Sequence, residues 1–127
     1  MHPDAEVRLP AETAYVAVLR MAAAGIAARL DFTVDDIEDL KMAVSEACSM
    51  VLADATPGGS LTARFYLAEQ RIEIEVLADT VDAVAPDTDG FAWQVLTTTA
   101  TEVAAEASPT HLMIRLAVAS STAGALP

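Results

Sequence analysis

Between Arg71 and Val76 the chain alternates strictly between charged and branched apolar residues, which leaves few folds open to it. Ile72, Ile74 and Val76 fall on one side of a strand, and the charged residues between them fall on the other. One face of the resulting sheet is buried and the other is in contact with water, as is usual in antiparallel sheets. Helices must cover the buried face.

Three more segments alternate in the same way and predict further strands. A short first strand is expected at residues 6–9, ending at Pro10, a hairpin partner at residues 61–67, and a last strand at residues 112–118. The sheet is therefore predicted to have four strands.

Helical periodicity marks the two segments that follow the first strand. Residues 12–30 are predicted to be a helix, with an apolar stripe formed by Tyr15, Val18, Leu19, Ala22, Ile26 and Leu30. A second helix begins at Thr33, whose hydroxyl can accept the backbone N–H of Asp36. Its apolar stripe is formed by Ile37, Leu40, Val44, Ala47, Cys48 and Val51.

The segment from Ala78 to Gly90, "ADTVDAVAPDTDG", contains aspartates, a proline and a glycine, and it predicts a loop of the kind that often binds a partner or ligand. A third helix is expected at residues 91–106, with Asp87 or Asp89 as its cap. Phe91 and Trp93 are expected to be core or interface anchors.

The order of elements is strand, helix, helix, strand, strand, loop, helix, strand. It predicts an α/β fold, a two-layer sandwich in which three helices cover one face of a four-stranded, mainly antiparallel sheet. Residues 1–118 are expected to form one domain, and residues 119–127 a flexible tail.

Charge and cysteine content narrow the partners and the compartment. A net charge of −12 makes nucleic-acid backbones and anionic membranes poor partners, whereas a basic protein surface would be complementary. A single cysteine excludes an internal disulfide, and the N-terminus shows neither a basic leader nor an apolar segment. We therefore expect a cytoplasmic protein with no membrane span.

Two charged residues on the predicted helices each have two possible interpretations. Glu46, in "AVSEACSM", lies off the apolar stripe between Met42 and Met50, and it is either a solvated helix glutamate or a catalytic base. Arg20 is either solvated or the centre of a protein interface. The second reading is favoured by the small apolar residues around it, Val16, Ala17, Ala23, Ala24 and Ala27.

Several short segments, taken in order, resemble the anti-sigma factor serine kinases of the RsbW and SpoIIAB type, members of the GHKL (Bergerat-fold) ATPases. "DLKMAVSEACSM" is similar to that family's N-box helix, and "IEIEVLAD" leads to the place of its first glycine box. "DGFAWQVLTTTATEV" is similar to the helix that follows the nucleotide lid. Arg20 falls where the family's first helix carries a partner-contacting arginine.

The resemblance implies roles for three positions. Glu46 matches the general base, and Asp79 matches the aspartate that contacts adenine. Met50 stands where the family has its Mg²⁺-binding asparagine, and its thioether is a poor ligand for a hard cation. The cofactor implied by the resemblance is ATP or ADP with Mg²⁺.

The loop departs from the family as well. Residues 79–83 read "DTVDA", so Val81 and Ala83 replace glycines that let the backbone approach a nucleotide. No Lys or Arg occurs between Leu77 and Phe91 to hold a triphosphate.

The leading hypothesis is an anti-sigma factor that sequesters an alternative sigma factor through Arg20, Val16, Ala17 and Ala24, and whose nucleotide site is degenerate. The resemblance also implies a homodimer through the first-helix side, release by an anti-anti-sigma (STAS) antagonist, and a role in a stress response. The alternative is an active kinase of that antagonist, with Ser49 or water holding Mg²⁺.

A STAS-like adaptor is a weaker alternative, because two consecutive helices precede the hairpin. No zinc site is expected from His2 and His111, which have no further ligand at suitable spacing, and the aspartate-rich loop lacks the spacing of an EF-hand.

Overall fold

The computed structural model describes residues 2–121 and confirms the α/β sandwich. The strands are β1 (Ala5–Pro10), β2 (Ser60–Ala68), β3 (Arg71–Asp79), β4 (Glu102–Ala107) and β5 (His111–Ala119). The helices are α1 (Val16–Arg29), α2 (Val34–Leu52) and α3 (Phe91–Thr99), and a single 3₁₀ turn at Thr13–Tyr15 leads into α1. Two consecutive helices precede the β2–β3 hairpin, as predicted.

The sheet is antiparallel throughout, with strand order β1-β2-β3-β5-β4. Phe65, Ile74 and Leu116 stand opposite one another on three neighbouring strands, and all three are buried. They belong to the core formed with the helices, in which α2 packs against α1, α3, β3 and β5. The predicted alternation in β3 is therefore confirmed.

The opposite face of the sheet carries charge. Glu75 lies between Arg64 and Arg115 of the neighbouring strands, with N–O distances of 3.8 and 3.3 Å. Both arginine side chains are more than one third exposed, so each pair contributes at most about 1 kcal/mol. This face meets water, as the alternation predicted.

The third helix is shorter than predicted, and the sheet has five strands rather than four. α3 ends at Thr99, and Glu102–Ala107 is the edge strand β4. Residues 97–99 are three threonines whose hydroxyls donate to carbonyls three or four residues earlier, and β-branched residues of this kind weaken a helix. The edge of β5 that does not pair with β3 offers residues 102–107 a complete set of backbone hydrogen-bond partners.

The buried stripe of α1 also differs from the prediction. Leu19, Ala23 and Ala27 are fully buried, whereas Val18 is 45% exposed. The helix is rich in alanine on every side, so its sequence does not favour one face, and the packing against α2 decides which residues are buried.

The start of α2 is held from two directions. The Thr33 hydroxyl accepts the N–H of Asp36, and the Asp36 carboxylate accepts the N–H of Thr33, both at 3.1 Å, which confirms the predicted cap. The same carboxylate accepts the backbone N–H of Ser121 at 3.0 Å and its hydroxyl at 2.9 Å. The end of β5 is thus attached to the start of α2, while residues 122–127 of the predicted tail lie outside the described residues.

Burial by itself would raise the pKa of Asp36, but the hydrogen bonds from Ser121 and Thr33 outweigh it and hold that pKa below its ordinary value.

Within residues 2–121 no helix is both long and apolar enough to cross a membrane.

Candidate functional site

Glu46 lies near the middle of α2 and is half-buried. Among the described residues it has neither a hydrogen bond nor an ion pair, so it is not a surface glutamate held by a basic neighbour. Met42 and Met50 lie one helical turn before and after it on the same row. The carboxylate is therefore free to act on another group.

Cys48, two residues further along α2, is fully buried in the core. Burial raises the pKa of its thiol to about 12, although the nearby Arg20 guanidinium opposes this rise. The thiol is therefore protonated at neutral pH, in agreement with its predicted role as a small core residue.

Asp79 ends β3 and is engaged in a turn. Its carboxylate Oδ2 accepts the backbone N–H of Ser60 at 2.8 Å, and its carbonyl accepts the N–H of Thr56 at 2.8 Å. A β-carbon added at Gly59 would lie 2.9 Å from the Asp79 β-carbon, so only glycine fits there. The residue that the resemblance assigns to adenine thus holds the connection between α2 and β2.

The segment after Asp79 is tied to the β4–β5 turn. The backbone N–H groups of Thr80, Asp82 and Ala83 donate to the carbonyls of residues 110, 109 and 108. Asp82 has φ +50°, and neither Val81 nor Ala83 has a positive φ. The left-handed conformation occurs at the residue between the two glycine-replacing positions, and Asp tolerates it better than a branched residue does.

The predicted cap of α3 is wrong. Its N-cap is Gly90, which has no side chain to accept a hydrogen bond. The Asp87 carboxylate instead accepts the N–H of Asp89 at 2.9 Å and closes the turn before the helix. It remains close to the helix start, since a β-carbon at Gly90 would lie 3.6 Å from Asp87 Oδ2.

A cavity of about 370 Å³ lies between the end of α2 and the segment of residues 84–93. Met50 lines it from α2, and Phe91 and Trp93 line it from α3. Its ionisable lining residues are Asp54 and Asp87, and the lining contains no Lys, Arg or His. Neither Glu46 nor Asp79 belongs to the lining.

This donor set does not fit a magnesium nucleotide. The two carboxylates are hard oxygen ligands for a cation, but they would repel a triphosphate, and no lining side chain offsets its charge. The position expected to hold Mg²⁺ presents the thioether of Met50. Among residues 2–121 no group of three or more His, Cys, Asp or Glu side chains could hold a metal ion.

A second concave surface, which we call the Arg20 groove, lies between α1 and α2. It encloses about 350 Å³ and is lined by Arg20, Met21, Glu38, Lys41, Met42 and Ser45. The Arg20 guanidinium donates to the Ser45 hydroxyl at 3.4 Å, which in turn donates to the Lys41 carbonyl at 3.0 Å. Met21 and Met42 are at least half exposed.

The structure separates the predicted interface residues into accessible and buried ones. Ala17 is exposed, and Val16, Arg20 and Ala24 are partly exposed, so all four are accessible from outside. Ala23 and Ala27 are wholly buried in the core, so including them in this face was wrong. Sequence reasoning missed Met21 and Met42, although exposed methionines flanking a helix arginine are a recognisable signal of a binding surface.

Glu46 lies between the two concave surfaces along α2. Met42, one turn before it, lines the Arg20 groove, and Met50, one turn after it, lines the cavity. One helix therefore connects the predicted partner surface to the predicted nucleotide region.

Over residues 9–118 the chain matches the family described as Histidine kinase-like ATPase domain, and it belongs to that family. Within it the chain is similar to the Serine-protein kinase RsbW of Bacillus velezensis, with 42% identity over 81 residues, which are 61% of this chain and 50% of that protein. RsbW of Halalkalibacterium halodurans is 47% identical over 72 residues, covering 56% and 44%. These matches confirm the RsbW-like resemblance.

The chain spans about half the length of the curated relatives it matches. Its fold is also that of a histidine kinase domain from the blue-light activated histidine kinase of Erythrobacter litoralis EL346, with a TM-score of 0.57. That match covers 90% of this chain and 63% of the other at 14% identity, so it supports the shared fold alone.

Proposed function

We propose that this protein is an anti-sigma factor that binds an alternative sigma factor without needing a nucleotide. RsbW-like membership supplies the partner class. Residues 1–118 are its functional domain, and it works in the cytoplasm as a homodimer with no direct contact to nucleic acid or membrane. A STAS antagonist releases the sigma factor.

The lining of the cavity beside Met50 is the observation that supports binding without a nucleotide. The resemblance sets the Mg²⁺ position at Met50, and a kinase of this fold needs cationic side chains and oxygen ligands placed together near that position to hold three phosphates and Mg²⁺. The cavity instead offers two carboxylates, a thioether and aromatic rings. Its surroundings therefore oppose a triphosphate more strongly than they attract one.

The Arg20 groove is the proposed contact for the sigma factor. A partly exposed arginine beside two exposed methionines combines a charged anchor with adaptable apolar surface, a composition that is common at the centres of interfaces. Val16, Ala17 and Ala24 extend this surface along α1. The net charge of −12 would speed the encounter with basic regions of a sigma factor.

The test is calorimetry of this protein against the purified sigma factors of its source organism, with and without Mg-ATP. The proposal expects one sigma factor to bind equally well in both conditions. It also expects Arg20→Glu to weaken binding at least tenfold, whereas Arg29→Glu, which places the same charge change at the exposed end of α1, leaves it unchanged. Binding that requires Mg-ATP, or no sigma factor bound, contradicts the proposal.

A second candidate function, a protein serine kinase acting on the antagonist, is favoured by one observation. Glu46 is half-buried and has no partner among the described residues, as a general base awaiting its substrate would be. Ser49, exposed on the next turn, would then supply an oxygen for Mg²⁺. This candidate requires ATP-dependent labelling of the antagonist that Glu46→Ala removes and that Glu69→Ala, an exposed turn residue outside both concave surfaces, preserves, with Mg²⁺ or Mn²⁺ present.

A further inference from the structure

The cavity at the end of α2 is bounded by residues 84–93 and lined by Met50. If no nucleotide binds there, the RsbW-like resemblance assigns it no other ligand. Its volume of about 370 Å³ falls within the range of small-molecule sites. Phe91 is 83% exposed and Val84 is 79% exposed at its mouth, so apolar side chains remain in contact with water there.

The charges of the cavity select against anions. Asp54 and Asp87 are exposed carboxylates, and no Lys, Arg or His lines the cavity to offset their negative charge. The first turn of α3 faces the cavity and would by itself attract an anion. The Asp87 carboxylate lies near that helix start, however, and its negative charge opposes the binding of a second anion there.

The apolar part of the lining is suited to an organic cation. Trp93 and Phe91 line the cavity with aromatic rings, which can attract ammonium groups, and Met50 and Pro86 add soft apolar surface. Carboxylates that line the same cavity as aromatic side chains favour an ammonium ion over a neutral molecule or an anion.

We propose that this cavity binds a small organic cation with an apolar body, an alkylated or aromatic ammonium compound. The inference rests on the proposed function in one respect, that nucleotide is not the resident ligand. The ammonium group would lie beside Asp54, and the apolar body between Met50 and Trp93.

The test uses benzyltrimethylammonium as the cation and benzylphosphonate as the matched anion, each titrated by calorimetry. Trp93 is the protein's single tryptophan and lines the cavity, so its fluorescence reports occupancy directly. The proposal expects the cation to bind at least tenfold more tightly than the anion or Mg-ATP, with a change in Trp93 emission.

Single substitutions test whether the cation binds in this cavity. Asp54→Asn is expected to weaken cation binding three- to tenfold, whereas Asp39→Asn, an equal charge change on an exposed position of α2, leaves it unchanged. Ala53→Phe, from the exposed rim, should obstruct the cavity and abolish the Trp93 response.

Three results would overturn the inference: equal binding of cation and anion, tighter binding of Mg-ATP, or equal effects of the two asparagine variants. Nucleotide-independent capture of a sigma factor is measured without any of these probes. The failure of one proposal is therefore distinguishable from the failure of the other.

Discussion

The carboxylate of Asp79 accepts the backbone N–H of Ser60 at 2.8 Å, which closes the end of β3 onto the first residue of β2. The side chain that the resemblance assigns to adenine therefore has a structural partner. Gly59 allows this approach because any β-carbon there would meet the Asp79 side chain.

We expect Asp79→Ala to lower the free energy of unfolding by about 1 kcal/mol, because it removes the acceptor of the Ser60 N–H. Asp79→Asn keeps an acceptor oxygen and should lose less. Chemical denaturation measures both, and Asp89→Ala, from the same loop, is the control. A loss of nucleotide affinity in Asp79→Ala at unchanged stability would instead show that Asp79 contacts adenine.

Asp36 joins the start of α2 to the end of β5. Asp36→Ala removes the acceptor for Thr33 and Ser121, so we expect it to lower the free energy of unfolding by about 1–3 kcal/mol. Asp35→Ala, an exposed neighbour in the same first turn, should cost no more than about 1 kcal/mol. Equal losses in the two variants would contradict the role given to Asp36.

The same carboxylate makes stability depend on pH. Its pKa is lower in the folded protein than in the unfolded chain, so its contribution is present above the unfolded pKa of about 3.9 and is lost as the pH falls through the folded pKa. Denaturation between pH 7 and pH 2 should therefore show a smaller acid-induced loss in Asp36→Ala than in the native protein. Parallel curves for the two proteins would refute this linkage.

Asp82 has a left-handed backbone, which favours glycine over alanine. Asp82→Gly is expected to be more stable than Asp82→Ala by about 1 kcal/mol. At Asp89, whose φ is not positive, the order should reverse, because glycine loses more entropy on folding. Thermal denaturation of the four variants decides the matter, and the same order at both positions would argue against a left-handed Asp82.

Cys48 should react with thiol reagents only when the protein opens. It is fully buried, and burial raises its pKa to about 12, so the native thiol is both inaccessible and protonated. Modification by a disulfide reagent should be slow and should accelerate with denaturant. In a Cys48→Ala background, Ser49→Cys places a thiol on the exposed side of the same helix and should react rapidly. Fast reaction of native Cys48 would contradict its burial.

Local chemistry predicted much of the site. The helix cap at Thr33 depends on residues three apart, and the placement of Glu46 between Met42 and Met50 follows from helix geometry, so both could be read from the chain. The partner of Asp79 lies 19 residues away, and the cavity forms only where α2 and α3 meet. Neither could be read from spacing.

The sequence by itself determined the strands with strict alternation, the start of α2 and the two-layer class, because periodicity and capping act over a few residues. Tertiary structure decided the features for which local patterns favoured no single outcome. The alanine-rich α1 could bury several faces, and packing on α2 selected the one with Leu19. Residues 102–107 could continue a helix, but the unpaired edge of β5 offered them a complete backbone ladder and made them a strand.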